Sequence, residues 1–394
     1  MIKRSQRRIT KTSGSKAGPF ITHLPLPEYA LWEKLKGGRN LISFVLELTA
    51  RCNNNCWHCY INLPADDKQA QKKELSLKEI EKIAQEAVSL GALWCLITGG
   101  EPMVRKDFFD IYVALKKKGL FVSVHTNASL ISKRHIKLFK EYPPRDIEVT
   151  VYGVTPETYE RVSRRRGSFR SFIRGLNLLL ENGIGVRLKT MALRSNVHEL
   201  PAIAAFCRQR TKGFFRFDPF LHLRCDHNPK RNEEIRSERL LSKEIVAIEQ
   251  SDPERFHALE KNCDKFIIPK ANHINCNHLF RCGAGNGSFV VSYDGLFRLC
   301  SSLWHADCLY DLKRGTLSEA WRSFIPKVRD MRSNREEFLK KCSKCPIFNL
   351  CLWCPAHSDL ESGRLDEPVD YFCEIAHARA ESLTKNKALP VSAS

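Results

Sequence analysis

Short apolar runs alternate with amphipathic segments through the first half of the chain, and this alternation predicts a parallel α/β fold. The apolar runs are typical of buried strands, and the segments between them repeat their apolar positions with the period of a helix. The predicted strands are residues 42–49, 93–97, 120–125, 147–152, 184–191 and 214–217. The predicted helices are residues 77–90, 107–118, 132–140, 156–161, 169–181 and 197–210. Six such units with right-handed crossovers form an incomplete (β/α) barrel.

Unusual polar residues follow the predicted strands at the points where the strands end. In barrels of parallel strands the chemistry collects on the loops at the carboxyl ends. We therefore expect these residues to face one mouth of the barrel. In strand order they are the cysteine loop 52–59, the segment 98–102, the segment 125–127, Tyr152 with Gly153, and Lys189 with Thr190.

The first of these loops carries Cys52, Cys56 and Cys59 within eight residues. Three thiolates can close around one metal centre, but they leave one iron of a 4Fe–4S cube without a protein ligand. Since no fourth cysteine follows at a ferredoxin-like spacing, the loop favours a cluster whose open iron binds a small molecule. The alternative, a structural zinc site, normally takes four protein ligands.

Composition limits the class of protein. The chain has 394 residues, 43% of them hydrophobic, which is enough for a substantial core. It contains no run of about 18 apolar residues, so we expect no transmembrane helix and no membrane partner. The basic segment 1–17 is predicted to be a disordered arm. Sixteen cysteines without an apolar export signal favour metal binding over disulfides and predict a cytoplasmic protein.

The formal net charge is +20, from 64 Lys and Arg against 44 Asp and Glu, and it implies attraction to an anionic partner. Nucleic acid is the usual candidate for such a charge, but an acidic peptide or protein would respond to the same field. The densest basic run, residues 161–170, is either a docking patch or a solvated loop.

The spacing Cys-x3-Cys-x2-Cys followed by Tyr60 resembles the radical S-adenosylmethionine (SAM) enzymes. In that family the open iron of a 4Fe–4S cluster binds the amino and carboxylate groups of the methionine moiety of SAM. The resemblance implies a partial (β/α)6 TIM-like barrel with the cluster on Cys52, Cys56 and Cys59. It also implies that one electron splits SAM into methionine and a 5′-deoxyadenosyl radical, which removes a hydrogen atom from the substrate.

The motif Gly99-Gly100-Glu101 matches the family's Gly-Gly-Glu, directly after the strand that follows the cysteine loop. The resemblance assigns Thr98 and the motif to the methionine end of SAM, and the close of the third strand to the ribose. A turn of Asx type is the alternative for that strand end. Lys189 is a candidate counter-charge for the SAM carboxylate. The residues assigned to SAM are Thr98, Gly99, Gly100, Glu101, Thr126, Asn127 and Lys189.

The last third of the chain carries nine cysteines, and a predicted hairpin of residues 287–291 and 296–299 presents one of them. Their order resembles the SPASM extension of radical SAM enzymes that modify peptides and proteins. The resemblance implies two auxiliary 4Fe–4S clusters and leaves Cys308 as a structural residue. The first would be held by Cys276, Cys282, Cys300 and Cys354, and the second by Cys342, Cys345, Cys351 and Cys373. The alternative is a pair of zinc ribbons that bind nucleic acid.

The chain is accordingly divided into five predicted segments. They are a basic arm and lead-in (1–40), the radical SAM partial barrel (41–217), a bridging segment (218–275), the SPASM domain (276–380) and a tail (381–394).

The predicted function is oxidative modification of a ribosomally made precursor peptide through a thioether or C–C cross-link. The predicted partners are that peptide, an electron donor such as flavodoxin or ferredoxin, and a separate leader-recognition protein. Nucleic acid is not expected as a partner. Two alternatives keep the chemistry, an anaerobic sulfatase-type maturase and a quinone-cofactor maturase acting on a protein. A third is of another class, a non-catalytic iron–sulfur or zinc-ribbon protein.

Overall fold

The six strands expected from the hydrophobic pattern are present in the computed structural model, within two residues of their predicted bounds. The structure describes residues 38–212, 215–262, 266–267 and 277–384. In chain order the strands are β1 (Ser43–Glu47), β2 (Arg51–Cys52), β3 (Leu63–Pro64), β4 (Trp94–Thr98), β5 (Phe121–Thr126), β6 (Asp146–Thr150), β7 (Val186–Met191), β8 (Arg216–Asp218), β9 (Ser288–Val291), β10 (Leu296–Arg298) and β11 (Tyr310–Asp311).

The helices lie between and after these strands. Those of the first part are α1 (Lys68–Lys73), α2 (Leu77–Ser89), α3 (Phe108–Lys117), α4 (Lys133–Glu141), α5 (Pro156–Ser163), α6 (Ser168–Glu181) and α7 (Leu200–Arg210). Those of the second part are α8 (Pro229–Ser237), α9 (Ser242–Gln250), α10 (Pro253–Lys261), α11 (Leu317–Glu319), α12 (Ile325–Arg329), α13 (Glu336–Lys341), α14 (Pro355–Ser362) and α15 (Asp370–Thr384).

The strands β1, β4, β5, β6, β7 and β8 pair in that order, and every pair is parallel. Along β1 and β4, residues such as Phe44, Cys95 and Ile97 are almost fully buried and alternate with half-buried ones, while β5 and β6 have buried central residues. This arrangement confirms the predicted partial (β/α)6 barrel and brings the carboxyl ends of the six strands to one side.

The helix α2 shows how the local sequence sets these crossovers. Ser76 and Glu79 form a capping box, in which the Ser76 N–H donates to the Glu79 carboxylate at 2.8 Å. The helix buries Ile80 and Ile83 in the core, with two alanines on the same face. It ends before Gly91, whose φ of +106° suits glycine.

The predicted hairpin forms, and it also extends the barrel sheet. Strand β9 pairs with β1 in parallel, on the side opposite β4, while β10 and β11 follow antiparallel. Phe289 of β9 stacks on Phe44 of β1 with 5.5 Å between ring centroids. Gly295 makes the hairpin turn at a φ of +93°. The single sheet therefore runs from the barrel into the cysteine-rich part of the chain.

The described part of the bridging segment, residues 218–262 and 266–267, is mostly helical. The predicted helix 242–250 is confirmed as α9, and α8 and α10 lie on either side of it. α9 packs on α15, where Arg379 pairs with Glu249.

Part of the chain lies outside the described residues. This applies to the predicted basic arm 1–17, to Cys263 and to Cys276, one of the predicted cluster ligands. From Asn40 onward the chain forms one compact unit, and the predicted segment boundaries within it stay predictions. No helix of the described residues is long and apolar enough to cross a membrane.

Candidate active site

A cavity of about 420 Å³ opens at the carboxyl ends of the barrel strands. Its walls come from the cysteine loop, from the ends of β4 to β8 and from the segment after β8. Leu352 of the cysteine-rich part also lines it. The predicted site residues that line it are Cys52, Cys56, Cys59, Thr98, Gly99, Gly100, Thr126, Asn127 and Lys189. Residues separated by more than a hundred positions in the chain thus share one cavity.

The backbone of the cysteine loop is fixed by the helix α5. The N–H of Asn55 donates to the carbonyl of Ser163 at 2.9 Å, and the N–H of Trp57 donates to the carbonyl of Val162 at 3.2 Å. Within the loop, the Cys59 N–H donates to the Cys56 carbonyl at 3.3 Å. These hydrogen bonds help to fix the conformation of the loop.

Three arginines donate to carbonyls of the same loop. Arg165 donates to Asn53 at 2.7 Å, Arg231 to Cys56 at 2.8 Å and Arg224 to Cys59 at 3.2 Å. In addition, the guanidinium of Arg164 lies 4.0 Å from the ring centroid of Trp57. Arg164 and Arg165 of the run 161–170 therefore contact the cysteine loop. Arg231, on α8 of the bridging segment, adds a further contact to the same loop. No local pattern in the sequence indicates this role for Arg224 and Arg231.

The loop thiols are buried and close enough to affect one another. Burial raises the pKa of Cys52 well above its usual value, with Cys56 and Glu101 adding to the effect. Burial raises the pKa of Cys56 to about 12, and the Cys59 thiol adds to it. A metal that takes thiolate ligands reverses this preference, because it binds only the deprotonated form.

The loop fits an iron–sulfur cluster in the chemistry of its donors. Its three thiols are the soft ligands that such clusters take, and Asn127 lies beside them, with its amide nitrogen 3.9 Å from the Cys52 sulfur. Two further groups at the cavity, the Asn54 amide and Nδ1 of His58, are buried without a hydrogen-bond partner in the described residues. No three His, Cys, Asp or Glu side chains of the described residues are grouped to hold a single metal ion.

Gly99 and Gly100 let the end of β4 lie directly against the start of the cysteine loop. A Cβ on Gly99 would meet the Thr49 carbonyl at 2.3 Å, and one on Gly100 would meet the Arg51 carbonyl at 2.4 Å. Gly99 also has a φ of +130°. The bare backbone expected of this motif is therefore needed for packing within the chain itself.

Glu101 lies behind the cavity wall, with no exposed surface. Its carboxylate accepts from the Thr126 hydroxyl at 2.9 Å, from the Asn127 N–H at 2.8 Å and from the Met103 N–H at 3.2 Å. Burial raises the pKa of Glu101 to about 7, against these hydrogen bonds. The geometry makes Glu101 a residue that fixes the end of β5; its contact with SAM stays a prediction.

The end of β5 forms the turn that was the alternative interpretation, and it also lines the cavity. The Ala128 N–H donates to the Thr126 hydroxyl and the Ser129 N–H to the Asn127 side chain, both at 3.0 Å. The Asn127 amide meanwhile donates to the Asn53 side chain at 2.9 Å. The two interpretations are compatible, and the ribose contact stays a prediction.

The carboxylate of Glu148, on β6, lies close to three basic side chains at the far side of the cavity. Lys189 Nζ lies 2.5 Å from its carboxylate, His125 Nε2 lies 3.2 Å away and Arg216 3.6 Å away. Burial alone would raise the pKa of Glu148, but Lys189 and His125 outweigh it and lower the pKa. Lys189 therefore lines the cavity as one half of an ion pair, and a counter-charge role toward SAM stays a prediction.

The cysteines of the last third fall into two groups. In the first, burial raises the pKa of Cys300 to about 11, and the thiols of Cys354 and Cys282 act on it. In the second, burial raises the pKa of Cys342 to about 12, and the thiols of Cys351, Cys345 and Cys373 add to the effect. These neighbours belong to the sets predicted for the two auxiliary clusters, but the thiol of Cys354 also acts on Cys351 of the other set. The two ligand sets therefore stay predictions, and Cys276 lies outside the described residues.

Cys308 belongs to neither group. It is fully buried in the core and its thiol contacts the Met331 sulfur at 3.8 Å. This position is consistent with the structural role expected of it.

Comparison with known proteins agrees with the fold. Residues 46–207 match the Radical SAM superfamily. The chain is 25% identical over 330 residues to the Fe-coproporphyrin III synthase of Methanosarcina barkeri, covering 78% of this chain and 81% of that protein. It is 26% identical over 359 residues to the subtilosin biosynthesis protein AlbA of Bacillus subtilis, covering 89% of this chain and 71% of AlbA.

Solved structures show the same fold. Streptococcus suis SuiB bound to S-adenosylmethionine has a TM-score of 0.63 at 14% identity, over 85% of this chain and 77% of SuiB. SuiB bound to its precursor peptide SuiA has a TM-score of 0.62. The match over residues 46–207, together with the cysteine loop and its cavity, shows that the chain contains a radical SAM domain, and members of that superfamily are enzymes that use a 4Fe–4S cluster and SAM.

Proposed function

We propose that this enzyme cleaves SAM reductively in the cavity and oxidatively modifies a ribosomally made peptide, by a thioether or C–C cross-link. The observation that carries the proposal is the composition of the cavity walls. The three loop thiols and Gly99 lie on one side, and Leu352, between Cys351 and Cys354, closes another. A substrate in this cavity would touch both the SAM site and the cysteine-rich region.

The first cluster would be held by Cys52, Cys56 and Cys59. When bound, the cluster and SAM supply a carbon-centred radical that can remove a hydrogen atom from an unactivated position. Thr98, Gly99 and Gly100 would bind SAM beside it, with Thr126 and Asn127 toward the ribose. The chain's own contribution is orientation of the target and exclusion of water, for which the cavity offers Met191, Phe220, Leu221 and Leu352.

The two cysteine groups of the last third would hold auxiliary clusters. The first would comprise Cys276, Cys282, Cys300 and Cys354, and the second Cys342, Cys345, Cys351 and Cys373. Four thiolates complete the ligation of a 4Fe–4S cluster. Electron acceptors close to the cavity favour a product that is oxidised overall, such as a cross-link.

A peptide substrate agrees with the charge of the chain and with two of the similar proteins. The net charge of +20 would attract an acidic leader sequence. AlbA is named for subtilosin biosynthesis, and SuiB has been solved with its precursor peptide. A flavodoxin or ferredoxin as electron donor, and a separate leader-recognition protein, complete the proposal.

A second candidate is modification of an iron tetrapyrrole. It is favoured by the similarity to Fe-coproporphyrin III synthase over most of both chains. Lys189 and Arg216 also place positive charge near the cavity, whereas burial lowers the pKa of His125 to about 4 and leaves its ring neutral. Glu148 already neutralises much of that charge, which makes the peptide the better supported substrate.

The test is anaerobic co-expression with the small open reading frames that neighbour the gene, followed by mass spectrometry of each peptide. A cross-linked peptide loses one pair of hydrogens per link. The matched control pair is Cys56→Ala, which removes a loop thiol, and Cys207→Ala, which removes a buried thiol on α7. We expect modification to disappear in the first variant and to persist in the second.

The same purified enzyme should be given iron tetrapyrroles with SAM and a strong reductant. A change in the mass of the tetrapyrrole, with every neighbouring peptide unchanged in mass, would contradict the peptide proposal and establish the second candidate.

A further inference from the structure

Arg298, the last residue of β10, is a fully buried cation with unused hydrogen-bond donors. Its exposed fraction is 0%. The guanidinium donates through Nη2 to Glu47 at 2.5 Å and lies 3.8 Å from the ring centroid of Trp304. The other two guanidinium nitrogens, Nε and Nη1, have no hydrogen-bond partner in the described residues. Cys300 follows two positions later in the chain.

Glu47 connects this cation to the cysteine loop of the barrel. It is the last residue of β1, five positions before Cys52, and it is 1% exposed. Tyr60, which directly follows Cys59, lies with its hydroxyl 3.4 Å from the Glu47 carboxylate. The Glu47–Arg298 pair thus lies between the two ends of the loop and the hairpin that presents Cys300.

A second buried ion pair in the same molecule contains an arginine whose guanidinium nitrogens all have hydrogen-bond partners. Arg379 donates to Glu249 through both Nε and Nη2, and its Nη1 donates to the Leu350 carbonyl at 3.4 Å. Each nitrogen of that guanidinium has a partner, as buried charged groups require. Since leaving buried donors unpaired is costly, the difference points to an acceptor for Arg298 that the described residues do not supply.

We propose that Arg298 is a redox-tuning residue, held by Glu47 so that its charge and free N–H groups face the auxiliary cluster carried by Cys300. This inference rests on the proposed function, in which Cys300 is a ligand of that cluster. Reduction adds one electron and makes the cluster more negative. A fixed cation nearby therefore stabilises the reduced form and raises the midpoint potential, as do hydrogen bonds to the sulfurs. Arg298 would make the cluster a better acceptor of the electron that the substrate gives up.

The test is a redox titration with dithionite, followed by electron paramagnetic resonance. It is made in a background in which Cys52, Cys56 and Cys59 are replaced by Ala, so that the auxiliary clusters alone are observed. Arg298→Met removes a positive charge, and we expect the midpoint potential of one auxiliary cluster to fall. Glu47→Gln removes the neighbouring negative charge and leaves the cation, and we expect the same potential to rise. Arg298→Lys keeps the charge and should lie nearer the unmodified background than Arg298→Met.

Arg379→Met is the matched control, because it also removes one buried, paired arginine. It should lower the melting temperature and leave the potential of the cluster carried by Cys300 unchanged. Shifts of opposite sign for Arg298→Met and Glu47→Gln cannot come from loss of stability, which has the same sign in both. Should Arg298→Met fail to fold, the upward shift of Glu47→Gln carries the test by itself.

Two results would overturn the inference, and they are distinguishable. Iron content near eight per chain with potentials unchanged in Glu47→Gln and Arg298→Met would leave the pair purely structural. Absence of iron from the background protein would remove the auxiliary clusters, and the proposed function would fail together with the inference.

Discussion

The loop that carries Cys52, Cys56 and Cys59 and the region that carries the later cysteines hold their thiols by different means. The loop is short, its N–H groups donate to carbonyls of α5, and three arginines donate to its carbonyls. The later thiols span residues 282–373, and the elements around them are a hairpin, several helices of three to eight residues and the 15-residue α15, which carries Cys373. We therefore expect the first site to keep its shape without metal, and the second to depend on the metals proposed for it to join its parts.

Removal of a loop thiol should have the largest effect. Cys56→Ala leaves two ligands at the first site, too few to retain the cluster, so SAM cleavage should fall to the level without enzyme. The measurement is the yield of methionine from SAM under dithionite. Cys95→Ala, at a buried thiol of β4, is the control and should retain activity. SAM cleavage that survives in Cys56→Ala would refute the assignment of the first site.

Removal of iron should lower protection from hydrogen exchange in the later region and leave it unchanged in the barrel. With a chelator under reducing conditions, we expect amides of the later region, such as those around Cys342 and Cys351, to lose their protection from hydrogen exchange. Amides of β4 and β5 should stay protected, because their core is made of packed side chains. Equal loss of protection in both regions would contradict the expectation that only the later region depends on metal for its structure.

Glu101 offers a smaller effect that depends on pH. Its pKa, about 7, is raised above the unfolded value by burial, so the folded protein binds more protons than the unfolded chain at intermediate pH. Stability from this group is present below the unfolded pKa and is lost as pH rises through 7, a change of about 3 kcal/mol at most. The measurement is the free energy of unfolding of the metal-free protein against pH. In Glu101→Gln this fall between pH 5 and 8 should disappear.

Arg231 should have the smallest effect. Arg231→Ala removes the donor to the Cys56 carbonyl, at an expected loss of about 1–2 kcal/mol in the stability of the loop. The cluster of the first site should then be lost faster on exposure to a chelator, while the cysteines of the last third are unaffected. Lys230→Ala, at an exposed neighbour on α8, is the control. Equal rates of iron loss in both variants would show that the loop does not need this contact.

The sequence predicted the strands, the cysteine loop and the mouth of the barrel because each leaves a local pattern. Apolar runs mark β4 to β7, and Gly99-Gly100 marks a close approach of backbones. Residues such as Arg224 and Arg231 leave none, since they contact a loop more than 160 positions away. Glu148 was likewise missed, because its charged neighbours come from three other strands.

The hairpin also has a feature that local sequence patterns do not predict, namely the strand with which it pairs. Its turn follows from Tyr293-Asp294-Gly295, and its strands from the apolar residues on either side. Its parallel pairing with β1 depends on a strand 245 positions earlier, as the pair Ser43 and Ser288 shows. Local patterns do not reveal such a partner, so the continuity of the sheet came only from the structure.

That pairing also protects the barrel from other copies of itself. Without β9, the strand β1 would present a row of free N–H and C=O groups along one open edge of the sheet, the usual template for aggregation. A chain cut after the bridging segment would keep the SAM site and expose this edge. The cysteine-rich region therefore also serves as a cover for solubility, and a truncated barrel should self-associate through β1.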